Sequence, residues 1–164
     1  MAGVHTPPAR LYRIDPQTRT VQKSVDFFVG GGVAAGEGAV WVAAGNLKKF
    51  DPGTLQSLDV IGFSRGYGAD TVATGGGAVW VASGLGSASR INPATDNIDA
   101  SITLGGQPSG IAVGANAVWV SDARGSLFRI DPVTNKLVKK YKVGSSPSAV
   151  ALSPTAVLVV AQTF

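Results

Sequence analysis

The chain has 164 residues, among them 22 glycines, 14 Lys plus Arg against 10 Asp plus Glu, and no cysteine. The missing thiols exclude a disulfide-stapled scaffold and a thiolate zinc centre, and 45% apolar with only 15% charged residues excludes a disordered chain. The net charge of +4 is scattered, gathering only at 136–142, and by itself points to no polyanion partner.

Residues 1–10 read as a tail without the continuous apolar stretch of a secretory signal. The longest apolar run, Ala156 to Ala161, is far short of the roughly 20 residues a bilayer requires, so no membrane insertion is expected. As it stands the chain reads as cytoplasmic, or as extracytoplasmic if it is a segment of a longer exported protein. The single histidine, His5, lies in the tail and is read as solvated.

Beyond the tail the sequence repeats. Gly38-Ala-Val-Trp-Val-Ala returns as Gly77-Ala-Val-Trp-Val-Ala, Asn116-Ala-Val-Trp-Val-Ser and Thr155-Ala-Val-Leu-Val-Val, so that Trp41, Trp80, Trp119 and Leu158 stand 39 residues apart. Val33, Val72, Ile111 and Val150 keep the same period. A second signature lies between these anchors: Arg13-Ile-Asp-Pro-Gln-Thr, Lys49-Phe-Asp-Pro-Gly-Thr, Arg90-Ile-Asn-Pro-Ala-Thr and Arg129-Ile-Asp-Pro-Val-Thr. Its Asp/Asn side chain can bond the backbone ahead of it and its proline presets φ, so each copy predicts a tight turn between two strands.

In one repeat, Gly110–Gly114 predicts a first strand, Ala117–Ser121 a second, Leu127–Ile130 a third and Lys136–Val143 a fourth, with a polar turn at 122–126. Four strands in 39 residues is the arithmetic of a β-propeller blade. Val40 and Val42 point one way and Ala39 and Trp41 the other, so the second strand is apolar on both faces and must lie between neighbouring sheets. Lys136, Lys140 and Lys142 are expected on one face of the fourth strand, as edge protection.

These motifs, Arg-Ile-Asp-Pro-x-Thr, then Val-Gly-x-x-Pro-Ser-Gly-Ile-Ala-Val-Gly, then Ala-Val-Trp-Val, resemble the YVTN family of bacterial β-propeller repeats, to which NHL-type and streptogramin B lyase-like propellers are related. The resemblance runs from about Leu11 to Phe164 and implies an all-β propeller of four repeats. Repeats are expected at about 31–69, 70–108 and 109–147. Residues 11–30 supply third and fourth strands, and 148–164 first and second ones, which would join as one composite blade. Two other arrangements stay open: half of an eight-bladed ring made by a homodimer, or part of a larger propeller.

The resembled lyases depend on histidines with magnesium, a set this chain cannot supply. Of the entries to the innermost strands, Asp70-Thr71, Ser109-Gly110 and Ser148-Ala149, only the first offers a carboxylate, so neither a channel metal, a cofactor nor catalytic residues are expected. The loop Gly62-Phe-Ser-Arg-Gly-Tyr-Gly-Ala-Asp70 departs most from its siblings: 21 residues separate the Asp-Pro turn from the next inner anchor, against 18 or 19 elsewhere. Arg65, Tyr67 and Asp70 there offer a charge, a stacking surface and an acceptor, and Asp122 and Arg124 share the same face or pair with each other. The expected function is a non-catalytic sensor or scaffold module that binds a small molecule or protein through this face. The alternatives are a metal-dependent lyase- or lactonase-like enzyme, and an engineered or excised repeat unit that self-assembles. No basic stripe interleaved with aromatics points to nucleic acid.

Overall fold

The structure, a computed structural model, describes residues 9–27, 31–64 and 68–163, and every regular element among them is a strand. A hairpin of β1 (Ala9–Asp15) and β2 (Thr20–Phe27) comes first. Three four-stranded antiparallel meanders follow. Blade 1 is β3 (Val33–Gly36), β4 (Ala39–Ala44), β5 (Asn46–Phe50) and β6 (Ser57–Ile61). Blade 2 is β7 (Thr71–Gly75), β8 (Ala78–Ser83), β9 (Ser87–Ile91) and β10 (Ile98–Thr103), and blade 3 is β11 (Pro108–Val113), β12 (Val118–Asp122), β13 (Ser126–Asp131) and β14 (Lys136–Lys142). A second hairpin, β15 (Ser145–Leu152) with β16 (Val157–Gln162), ends the array. This is a β-propeller arrangement, with the neighbouring innermost strands β3, β7, β11 and β15 in successive contact.

The Asp-Pro-x-Thr motif closes each turn in the same way. The Oδ1 atom of Asp15, Asp51, Asn92 or Asp131 accepts from the amides two and three residues ahead, for Asp131 at 2.8 Å from Val133 and 2.9 Å from Thr134. The fifth residue, Arg19, Leu55, Asp96 or Asn135, has φ between 55° and 58° and donates its amide back to the first residue's carbonyl. The three aspartates are held below the usual carboxylate range, above all by these backbone N–H donors.

Successive sheets stack with the tryptophan face of one blade against the valine face of the next. Trp41, Ala43 and Leu47 of blade 1 pack on Val72, Val79, Val81 and Ile91 of blade 2. Trp80, Ala82 and Ala88 of blade 2 pack on Val118, Val120, Phe128 and Ile130 of blade 3. The first hairpin covers the other side of blade 1, Phe27, Leu11 and Val25 meeting Val42 and Phe50. Every residue of β8 is therefore buried, whereas β16, with a neighbour on one side only, alternates between half-buried and exposed.

Three expectations need correction. Within one chain the terminal hairpins do not pair as a composite blade: β1–β2 and β15–β16 are separate two-stranded sheets, the first packed on blade 1 and the second on blade 3. Trp41 and Trp80 are fully buried, but Trp119 is only half-buried, since the hairpin beside it lacks two outer strands. The lysines of β14 are also redistributed. Arg129 pairs with Lys139 and Ile130 with Leu137, so a bulge at Val138 reverses the alternation and puts Leu137 with Lys140 and Lys142, and Lys136 with Lys139 and Tyr141.

Candidate functional site

The turns after the second strands and the loops leaving the fourth strands meet on one face. Gly45 and Ala69 exchange backbone hydrogen bonds at 2.9 and 3.0 Å, Leu104 donates to Gly86 at 2.9 Å, and Val143 to Gly125 at 3.1 Å. Each blade thus ties the loop behind its fourth strand to its own central turn.

Asp70 and Asp122 both lie on this face, braced against backbone amides. The exposed Asp70 accepts from the Gly84 amide at 2.7 Å. Asp122 is fully buried and its Oδ1 accepts from the amides of Gln107 at 2.6 Å and Arg124 at 3.2 Å. Its seat requires glycine at 106, where φ is +73° and an added Cβ would come within 2.6 Å of the carboxylate. The other oxygen, Oδ2, is buried with no protein partner. These carboxylates hold loops in place, and the contact between Asp122 and Arg124 runs through the Arg124 amide. Arg65 and Tyr67, like His5, lie outside the described residues.

The exposed Arg124 side chain has a different setting. It borders a cleft of about 510 Å³ between the β12–β13 turn, the end of β14 and the start of β15. Lys140 and Lys142 border the same cleft, together with Ser126, Ser145 and Ser146, the Ser145 hydroxyl donating to the Thr163 carbonyl at 3.2 Å. The register explains their convergence: Lys140 faces Phe128 and Lys142 faces Ser126 across the β13–β14 ladder. The Lys140 ammonium lies 5.2 Å from the Phe128 ring centroid, a cation–π contact that holds the side chain beside the cleft it borders. Among the described residues that line the cleft there is no Asp or Glu. The sequence singles out Arg124 and reads the lysines as edge protection rather than a polyanion patch, because their meeting with Arg124 depends on the bulge at Val138. Among the described residues no group of three or more His, Asp or Glu side chains is placed to hold a metal ion.

The repeat cations do architectural work. Arg13 donates to the Gly53 carbonyl of the next blade's turn at 3.2 Å, and Lys49 reaches Asp96 and the Pro93 carbonyl of blade 2. Arg90 stays within its blade, bonding Asp99 at 2.5 Å.

No family model matches the chain, and no curated protein matches it in sequence. Solved structures do. Hydrazine synthase from Kuenenia stuttgartiensis superposes with a TM-score of 0.74 at 15% identity, over 82% of this chain and 42% of that one. The computationally designed Ika4 protein matches with a TM-score of 0.67 at 19% identity, over 78% of this chain and 82% of that one. The designed Ika8 protein gives a TM-score of 0.64 at 19% identity, over 78% of this chain but only 41% of that one. The chain thus spans about two-fifths of the hydrazine synthase chain and of Ika8, and most of Ika4. At these identities the likeness establishes the fold alone, which is that of a β-propeller.

Proposed function

We propose that the chain is a non-catalytic propeller module that binds a ligand on its loop face, and that the cleft at Arg124 receives an oxyanion. The observation that carries the reading is the lining: Arg124, Lys140, Lys142 and three serines border about 510 Å³, and the described lining residues include no Asp or Glu. Arg124 supplies a planar fork of donors for phosphate or carboxylate, and the lysines supply charge. Asp122 supports the site indirectly by fixing the Arg124 amide. Arg65, Tyr67 and Asp70 extend the binding face by their chemistry and loop position. The repeat type we assign, on the motifs alone, to the YVTN class.

The test is titration of the full chain with inorganic phosphate at constant ionic strength, followed through the amide resonances of Gly125, Ser145 and Ser146. Saturable shifts that Arg124→Ala combined with Lys140→Ala abolishes support the reading. A wild-type response that does not saturate, or one the double variant retains, overturns it.

A further inference from the structure

The two ends of the stack complement each other residue by residue, and we infer that they are an interface between two copies of this chain. Each copy's β16 would pair with the other's β1, making two composite blades and a closed ring of eight. The inference is independent of the cleft at Arg124.

The first ground is which residues are exposed. Tyr12 and Ile14 of β1 occupy the repeat positions of Phe128 and Ile130. The latter are fully buried against the Trp80 face of blade 2, whereas Tyr12 and Ile14 are 52% and 60% exposed. At the other end, Leu158 stands where Trp41 and Trp80 stand, yet it is 57% exposed. Val33 is 58% exposed where its equivalent, Val72, is 8% exposed. Each exposed residue belongs to the face that a neighbouring blade covers elsewhere in the same chain.

The second ground is that each end holds what the other lacks. The first hairpin has third and fourth strands and the last has first and second strands, and among the described residues no strand pairs with the outer edge of β1 or of β16. The register follows from the intact blades. Trp41 pairs with Lys49, Trp80 with Arg90 and Trp119 with Arg129, so Leu158 pairs with Arg13. Val118 pairs with Ile130, so Val157 pairs with Ile14. A cleft of about 480 Å³ already opens at that place, bordered by Trp119, Arg129, Leu152 and Val157, and it is the seat for the second copy's Ile14. Val157 and Val159 face blade 3 while Leu158 and Val160 face outward, the side on which the partner's Val33 and Val40 would lie.

The third ground is that the chain does not close on itself. Its terminal hairpins stay in two separate two-stranded sheets, so the blades form an open arc. Two such arcs related by a twofold axis meet at two identical junctions and leave no free edge.

The chain has no cysteine, so the register can be tested by disulfide trapping. Paired strands bring Cα atoms within about 4.5–5.5 Å, inside disulfide range. Arg13→Cys with Leu158→Cys, oxidised at micromolar concentration, should give a covalent species of twice the 16.6 kDa chain mass on denaturing gels. Ile14→Cys with Leu158→Cys, whose side chains lie on opposite faces, should give little. A cross-linked monomer, no cross-link, or equal yields from both pairs would overturn the inference. As a check without cysteines, Trp119 emission of the unmodified chain should shift to the blue with concentration, and that shift should vanish in Trp119→Phe. Emission independent of concentration would equally count against it.

Discussion

Lys49 Nζ donates to both carboxylate oxygens of Asp96, at 2.7 and 3.0 Å, and to the Pro93 carbonyl at 2.8 Å, fastening blade 1 to the Asn92–Asp96 turn of blade 2. The same ammonium lies 5.1 Å from the Trp41 ring centroid. Both partners are largely buried, with 15% and 20% of their side chains exposed, so the pair is only partly screened. The equivalent contact of Arg13 reaches only an exposed carbonyl, and Arg90, which borders the same cleft as the uncharged Asn135, bonds Asp99 within its own blade instead.

This contrast sets the first expectation. Lys49→Met should lower the free energy of unfolding by about 1.5–3 kcal/mol, the range for a charge-assisted hydrogen bond whose partner is left behind. Arg13→Met should cost no more than about 1 kcal/mol. Urea unfolding of the two variants checks the difference.

The tryptophans should likewise separate by position rather than by residue type. Trp80→Ala opens a cavity in a blade covered on both faces and should cost about 3–5 kcal/mol. Trp119→Ala removes a half-buried ring and should cost clearly less at concentrations where the chain is monomeric. Equal losses would contradict the account of Trp119 as an uncovered interblade residue.

Acid should loosen the Asp-Pro turns. Asp15, Asp51 and Asp131 have folded-state values lowered from 3.8 by their amide donors, so their contribution is complete above the unfolded value and fades as pH falls through the folded one. Stability should therefore decline as pH drops below about 4, and replacing all three by asparagine should flatten that decline. Thermal unfolding between pH 2 and 6 measures it. The fourth turn, which already has Asn92, sets the precedent for the substitution.

At the loop face, Gly106→Ala should be harmful although the residue carries no side chain. It meets the Asp122 carboxylate and places alanine at a φ of +73°. Asp122→Ala leaves the Gln107 and Arg124 amides without their acceptor and should cost about 1–3 kcal/mol. Both changes should also weaken phosphate binding at the Arg124 cleft, through its support rather than its contacts.

The repeat was legible because it is written twice, in the Trp/Val anchors and in the Asp-Pro turns, and each has a local physical cause. The strands of blade 3 fall within two residues of where β-propensity and glycine punctuation put them, and the second strand's two apolar faces foretold its burial. Other features depend on partners distant in sequence. Nothing near Asp122 says that it is buried, since its donor Gln107 and its glycine seat lie on another loop. The bulge at Val138 is set by pairing with β13, and it decides which lysines reach Arg124. The open ends depend on how sheets pack on one another, which is not written along any one strand.

The central claim, an arc of blades whose two ends fit each other, is tested most directly by the solution mass of the unmodified chain. Sedimentation equilibrium at micromolar concentrations should give twice the 16.6 kDa of the chain, falling toward one on dilution. Association should strengthen as salt rises, because the repeat positions that bring Lys49 to Asp96 between blades 1 and 2 would set Arg129 near the partner's Arg19, two like charges that salt screens. A mass fixed at 16.6 kDa across concentration and salt would contradict the account.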